Sequence, residues 1–109
     1  MVLRFVVPET EGPSFLEQGR SVLDLLSRQR GFVRGHLARA TDDVDRWVLS
    51  TEWEGVGAYR RALSAYDVKL DATPLLNRAV EEPTGFEVLH QAGAGKHAGS
   101  ASAESPLGS

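Results

Sequence analysis

The run Val2-Leu3-Arg4-Phe5-Val6-Val7, stopped by Pro8, constrains this chain more than any other feature. β-branched and aromatic residues favour a strand, and proline cannot continue one within a sheet. Successive strand side chains point to opposite faces. Apolar residues at both odd and even positions therefore predict a strand that needs cover on both sides. Arg4 is the one polar residue in the run and must be paired, exposed or useful.

The cover on one side is legible further along. Phe15, Leu16, Gly19, Val22, Leu23 and Leu26 recur at helical spacing, while Asp24, Arg28 and Arg30 fall off that stripe. Ser14 and Glu17 fit a capping box, and Gly31 fits a left-handed cap, so the expected helix spans about residues 14–29. Phe32–Ala40 and Arg46–Trp53 flank the polar turn Thr41-Asp42-Asp43 and predict a hairpin. Trp47, Leu49, Thr51 and Trp53 would share one face of its second strand. Val56, Tyr59, Ala62, Leu63 and Tyr66 predict a helix over Gly55–Ala65. Asp67–Ala72 reads as a further helical turn, and Thr73-Pro74 interrupts the helical pattern before Leu75, Leu76, Ala79 and Val80. Phe86–Leu89 reads as a last strand.

Strand, helix, strand, strand, helix, strand is the α+β, ferredoxin-like βαββαβ order. A four-stranded antiparallel sheet with helices on one face follows, occupying residues 1–90. The other face is left bare, and the first strand makes it substantially apolar. A two-fold homodimer, sheet against sheet, covers it; two such sheets make a dimeric α+β barrel. A core of about 90 residues buries only about 60–65% of its unfolded surface, which adds to the case for a dimer. Beyond it, residues 91–109 hold five Ala, four Gly and four Ser with Leu107 as the one large apolar residue. That composition predicts a flexible tail.

Composition excludes several classes. With no cysteine there is no disulfide, thiolate metal site or thiol nucleophile. A formal net charge of −3 argues against a nucleic-acid partner. No apolar run is long enough to span a membrane, and nothing at the N-terminus reads as a signal peptide, so a cytoplasmic location is expected. His36, His90 and His97 show no metal-ligand spacing, and no metal is expected. No nucleotide-binding, phosphate-loop or nucleophile-elbow motif occurs.

Three stretches carry a resemblance: Arg30-Gly31-Phe32-Val33-Arg34-Gly35-His36-Leu37, Trp47-Val48-Leu49-Ser50-Thr51-Glu52-Trp53-Glu54, and Ala58-Tyr59-Arg60-Arg61-Ala62-Leu63. Over roughly residues 2–90 the chain resembles the antibiotic biosynthesis monooxygenase domain family of the dimeric α+β barrel superfamily, in wording closest to small actinobacterial members. The resemblance implies cofactor-independent oxygenation of an aromatic polyketide, or oxidation of a quinol, with no cofactor. The substrate would bind between sheet and helices and react with oxygen as an aryl-oxide anion. Related haem-degrading members use an asparagine, a tryptophan and a histidine. Here Ala62 and Ala72 stand for the latter two, and the first strand offers Arg4 and no asparagine.

The chemistry implied names candidate residues. Trp53 and Tyr59 offer flat walls for binding substrate. Among the catalytic candidates, His36 offers an imidazole for a phenolic proton. Arg4 and the Tyr66 hydroxyl offer donors to the anion. Each has a plainer alternative. Arg4 could pair with Glu52 on the adjacent strand, His36 could be a half-exposed strand residue, and the aromatics could be core. The function carried forward is an oxygenase acting on a small aromatic molecule; its rival is a non-catalytic, dimeric ligand-binding or accessory domain.

Overall fold

The computed structural model describes residues 1–94. Its sheet is antiparallel with strand order β1-β3-β2, formed by β1 (Val2–Val6), β2 (Phe32–Arg39) and β3 (Arg46–Trp53). Four helices accompany it: α1 (Gly12–Ser27), α2 (Val56–Ser64), α3 (Tyr66–Asp71) and α4 (Thr73–Leu76). This is the expected α+β arrangement. The part of the expected tail from residue 95 on, with His97, lies outside the described residues.

Register explains which side chains meet which layer. Leu3 pairs with Leu49 and Phe5 with Trp47. Leu37 pairs with Leu49 from the other side. These rows face the helices, and Leu3, Phe5, Trp47 and Leu49 are buried there with Phe15, Val22 and Leu26 of α1. The aromatic centre is tight: Phe15 lies 5.0 Å from Phe5 and 5.2 Å from Trp47, ring to ring. The intervening rows, Val2 with Ser50 and Arg4 with Val48, point the other way. Val6 stays 51% exposed, so the predicted second cover of β1 is not supplied from within one chain.

α1 seats on β2 through two glycines. A methyl group at Gly19 would come within 2.6 Å of Leu37 Cδ2, and one at Gly35 within 2.6 Å of Leu23 Cδ1. Each glycine is the hole for a leucine on the opposing element, which lets helix and sheet approach closely.

Several expected boundaries shift. α1 starts at Gly12 with Glu11 at its cap, three residues before the capping box implies. A 3₁₀ turn at Glu9–Glu11 leads into it and Pro13 sits in its first turn, where a missing N–H costs nothing. Ser14 is therefore inside the helix, its hydroxyl donating to the Glu11 carbonyl at 3.0 Å rather than capping. Gly31 has the expected positive φ of 89°, but the helix has already ended at Ser27. Gly31 turns the chain into β2, and its carbonyl accepts the Glu54 N–H at 2.8 Å. Extended backbone at Ala65 (ψ 141°) separates α2 from α3. The helical pattern is interrupted where expected: α3 ends at Asp71, and Thr73-Pro74 opens α4.

The largest departure is the fourth strand. Phe86–Leu89 forms no strand, and Phe86, Val88 and Leu89 are exposed. The free edge of β1 is met earlier. The Val2 N–H donates to the Thr84 carbonyl at 2.8 Å, and the Val80 N–H donates to the Arg4 carbonyl at 2.7 Å. The chain thus returns antiparallel along β1 over Val80–Thr84, in the place a fourth strand of this topology would take. Between these two bonds the return advances four residues while β1 advances two, so the pairing is bulged and not a regular ladder.

Candidate functional site

The sheet separates the five candidate residues by its two faces. Arg4 and His36 stand opposite Val48 and Ser50, on the open face. Trp53 belongs to the Trp47–Leu49–Thr51 row that faces the helices, and Tyr59 packs against the same core from α2. Tyr66 begins α3 and is 79% exposed. Arg4, His36, Trp53, Tyr59 and Tyr66 do not converge within one chain. Tyr59 and Tyr66 share no helix face either, because the chain is extended at Ala65 between them.

The partner expected for Arg4 also changes. Its guanidinium binds Glu82 at 2.9 Å, and Glu52 instead meets Arg34 at 3.3 Å. Register is the reason. Glu52 stands opposite Arg34, whereas Arg4 stands opposite Val48, four residues along the same strand. Glu82 arrives on the return segment. Both pairs are exposed, so each contributes at most about 1 kcal/mol.

Trp53 is engaged already. Its indole N–H donates to Thr51 Oγ1 at 2.8 Å, and its ring stands edge-on to Phe32 at 5.2 Å. That bond satisfies a partly buried donor and fixes the ring as packing. The indole N–H of Trp47 is buried with no partner among the described residues.

Tyr59 is the one candidate that lines a helix-side recess. A groove of about 480 Å³ runs between α2, α4 and the return segment, with Tyr59, Leu63, Leu76, Asn77, Glu81 and Thr84 along it. Leu3 of β1 and Met1 also contribute to its wall. Gly85 passes close over the tyrosine: a side-chain carbon there would lie 3.1 Å from the phenolic oxygen. The groove has an apolar floor, a phenol, an amide and carboxylates. It could hold a flat aromatic molecule and hydrogen-bond a hydroxyl or carbonyl on it. The Met1 ammonium donates to the Thr51 carbonyl at 2.9 Å, and burial pushes this group below its ordinary value of 8.0.

Sequence reasoning missed Asn77, Glu81 and Thr84. Local patterning marks them only as polar residues around a helix end. The return path along β1, closed by two long-range hydrogen bonds, is what brings them to Tyr59. A second depression, of about 580 Å³, lies at the end of the open sheet face, where Arg4, Ala38, Arg46 and Val48 line it. Among the described residues no cluster of His, Asp and Glu could hold a metal ion, and no helix is long and apolar enough to cross a membrane.

A split β-α-β sheet with helices on one face defines a ferredoxin-like α+β domain. Solved structures place it more narrowly. A mutant form of SnoaB, a cofactor-independent oxygenase from Streptomyces nogalater, is 29% identical, with 83% of this chain and 94% of that one aligned at a TM-score of 0.61. Rv0793 from Mycobacterium tuberculosis matches 84% of this chain and 94% of its own at 13% identity and a TM-score of 0.65. A proposed antibiotic biosynthesis monooxygenase from Nitrosomonas europaea matches 82% and 96% at 16% identity and a TM-score of 0.62. No protein-family model matches the chain, and no curated protein matches it by sequence. The chain has the fold of the antibiotic biosynthesis monooxygenase domain family.

Proposed function

We propose that this protein is a cofactor-independent oxygenase acting on an aromatic polyketide or quinol-type substrate held in the Tyr59 groove. The observation that carries the reading is the 29% identity to a cofactor-independent oxygenase over 83% of this chain and 94% of that one. The groove adds the physical means. Its apolar wall suits a flat ring, and the Tyr59 hydroxyl can donate to an oxygen on which negative charge develops. For an anthrone-type substrate the redox balance closes without a resident redox group. The ring methylene becomes a carbonyl, one oxygen atom stays in the product, and the other leaves as water. The substrate supplies all four electrons.

On this reading Tyr59 touches substrate and Trp53 braces the sheet end behind it. Arg4, His36 and Tyr66 reach a substrate only if a second copy brings them to its groove. A homodimer through the open sheet face is part of the proposal, with Val2, Val6 and Val48 as its apolar centre. Sedimentation at micromolar concentration tests it: about twice 11.8 kDa is expected. A lysine in place of Val48 should give monomers.

One observation favours a non-catalytic, ligand-binding or accessory domain instead. No imidazole lines the groove, and Trp53, Tyr59 and Leu63 pack against the core. Oxygen uptake with an anthrone and with a hydroquinone separates the two. The oxygenase reading expects enzyme-dependent uptake that falls at least tenfold in Tyr59→Phe. Binding of either compound without uptake supports the accessory reading.

A further inference from the structure

If the Tyr59 groove is the substrate site, as proposed above, its charge pattern says which substrates it takes. We infer that the groove selects an aromatic ligand bearing a cationic group and rejects one bearing a carboxylate, with Glu81 as the residue that sets this preference. No Lys, Arg or His side chain lines the groove, whereas Glu81 and Glu82 both do. Three cations near its wall are turned elsewhere. Arg4 is bound to Glu82 at 2.9 Å. Arg78 follows Asn77 but turns away to Glu11 at 3.3 Å and lies over the Phe15 ring at 5.2 Å. The Met1 ammonium is turned to the Thr51 carbonyl at 2.9 Å.

Glu82 is thus neutralised by its arginine, while Glu81 has no ion-pair partner among the described residues. A carboxylate brought into the groove would meet that uncompensated negative charge and find no cationic side chain to bind it. A ligand ammonium would find Glu81 free to pair. Two opposite unit charges a few ångströms apart at a half-open protein surface change affinity by roughly five- to tenfold at low salt. Like charges change it by as much in the other direction. The apolar contacts of the ring with Leu63 and Leu76 contribute equally in either case, because aliphatic side chains are indifferent to the substituent's charge.

Three probes of one shape test this: 2-naphthylmethylammonium, 2-naphthol and 2-naphthoate, titrated calorimetrically into the full chain near neutral pH and low salt. Amide shift mapping locates each. The expected order is cation, then neutral, then anion, with roughly tenfold or more between the extremes and shifts at Leu63, Ala79 and Thr84. Glu81→Gln should remove most of that spread, and Glu81→Lys should reverse it. Both are surface changes that leave the core untouched. Equal affinity of naphthoate and the ammonium, or a spread that survives Glu81→Gln, overturns the selectivity while leaving the groove as a binding site. If none of the three binds, or the shifts fall elsewhere, the groove assignment fails and the selectivity with it.

Discussion

Gly31 offers a test of how the sheet and α2 are joined, and so of what holds Tyr59 in place. Its φ of +89° belongs to the region that L side chains rarely adopt. Substituting alanine costs about 1–2 kcal/mol for that conformation alone. The new methyl would also drive into Cβ of Ala58, which is only 5% exposed and cannot move outward freely. Overpacking at such a contact costs about 1–3 kcal/mol more. Gly31→Ala should therefore lose about 2–5 kcal/mol in all. Ala58→Gly alone should cost about 1 kcal/mol or less, since it lies in the first turn of α2. The double variant removes the collision but not the strained φ. Its loss should fall short of the sum of the two by about 1–3 kcal/mol, a coupling readable by urea unfolding followed through Trp47 and Trp53. Unchanged slopes against urea would show that all four proteins unfold by the same transition. A cost below about 0.5 kcal/mol for Gly31→Ala, or strict additivity in the cycle, would refute the packing described at this corner.

Phe15→Ala should cost about 3–5 kcal/mol by urea unfolding, because a fully buried ring in contact with Phe5 and Trp47 is deleted. Gly35→Ala should cost more than Gly19→Ala by the same measurement: the methyl at Gly35 meets the rigid Ser50 carbonyl oxygen at 3.0 Å as well as Leu23 and Phe32, whereas the three atoms nearest that at Gly19 all belong to the Leu37 side chain. The Met1 ammonium gives a pH effect of known sign. Its folded pKa lies below the ordinary 8.0, so the unfolded chain binds more protons between the two values, and this group's contribution to stability rises with pH across that window. Thermal melts at several pH values should show a rise that an N-terminally acetylated chain lacks.

Much of this fold is local enough to be read from the chain. The alternation Trp47, Leu49, Thr51, Trp53 marks the helix-facing side of β3 because a strand's two faces are set by backbone geometry alone. The stripe from Phe15 to Leu26 marks α1 for the same reason at a different period. The glycine at position 31 announced a left-handed turn, although not which turn. What escaped sequence reading depends on contacts distant in the chain. Arg4 pairs with Glu82 rather than Glu52 because register, set by the whole β1–β3 ladder, puts Val48 opposite it and leaves Glu52 to Arg34. Phe86–Leu89 has strand-forming residues, but Val80–Thr84 reaches β1 first, and a strand edge accepts only one partner. The site divides the same way. The aromatic and charged residues were visible as candidates, yet the side of the sheet each takes follows from its pairing partner, and a shift of one residue would exchange the faces. Tertiary structure alone joins Tyr59 to Asn77, Glu81 and Thr84, because the groove exists only once the return segment is hydrogen-bonded to β1.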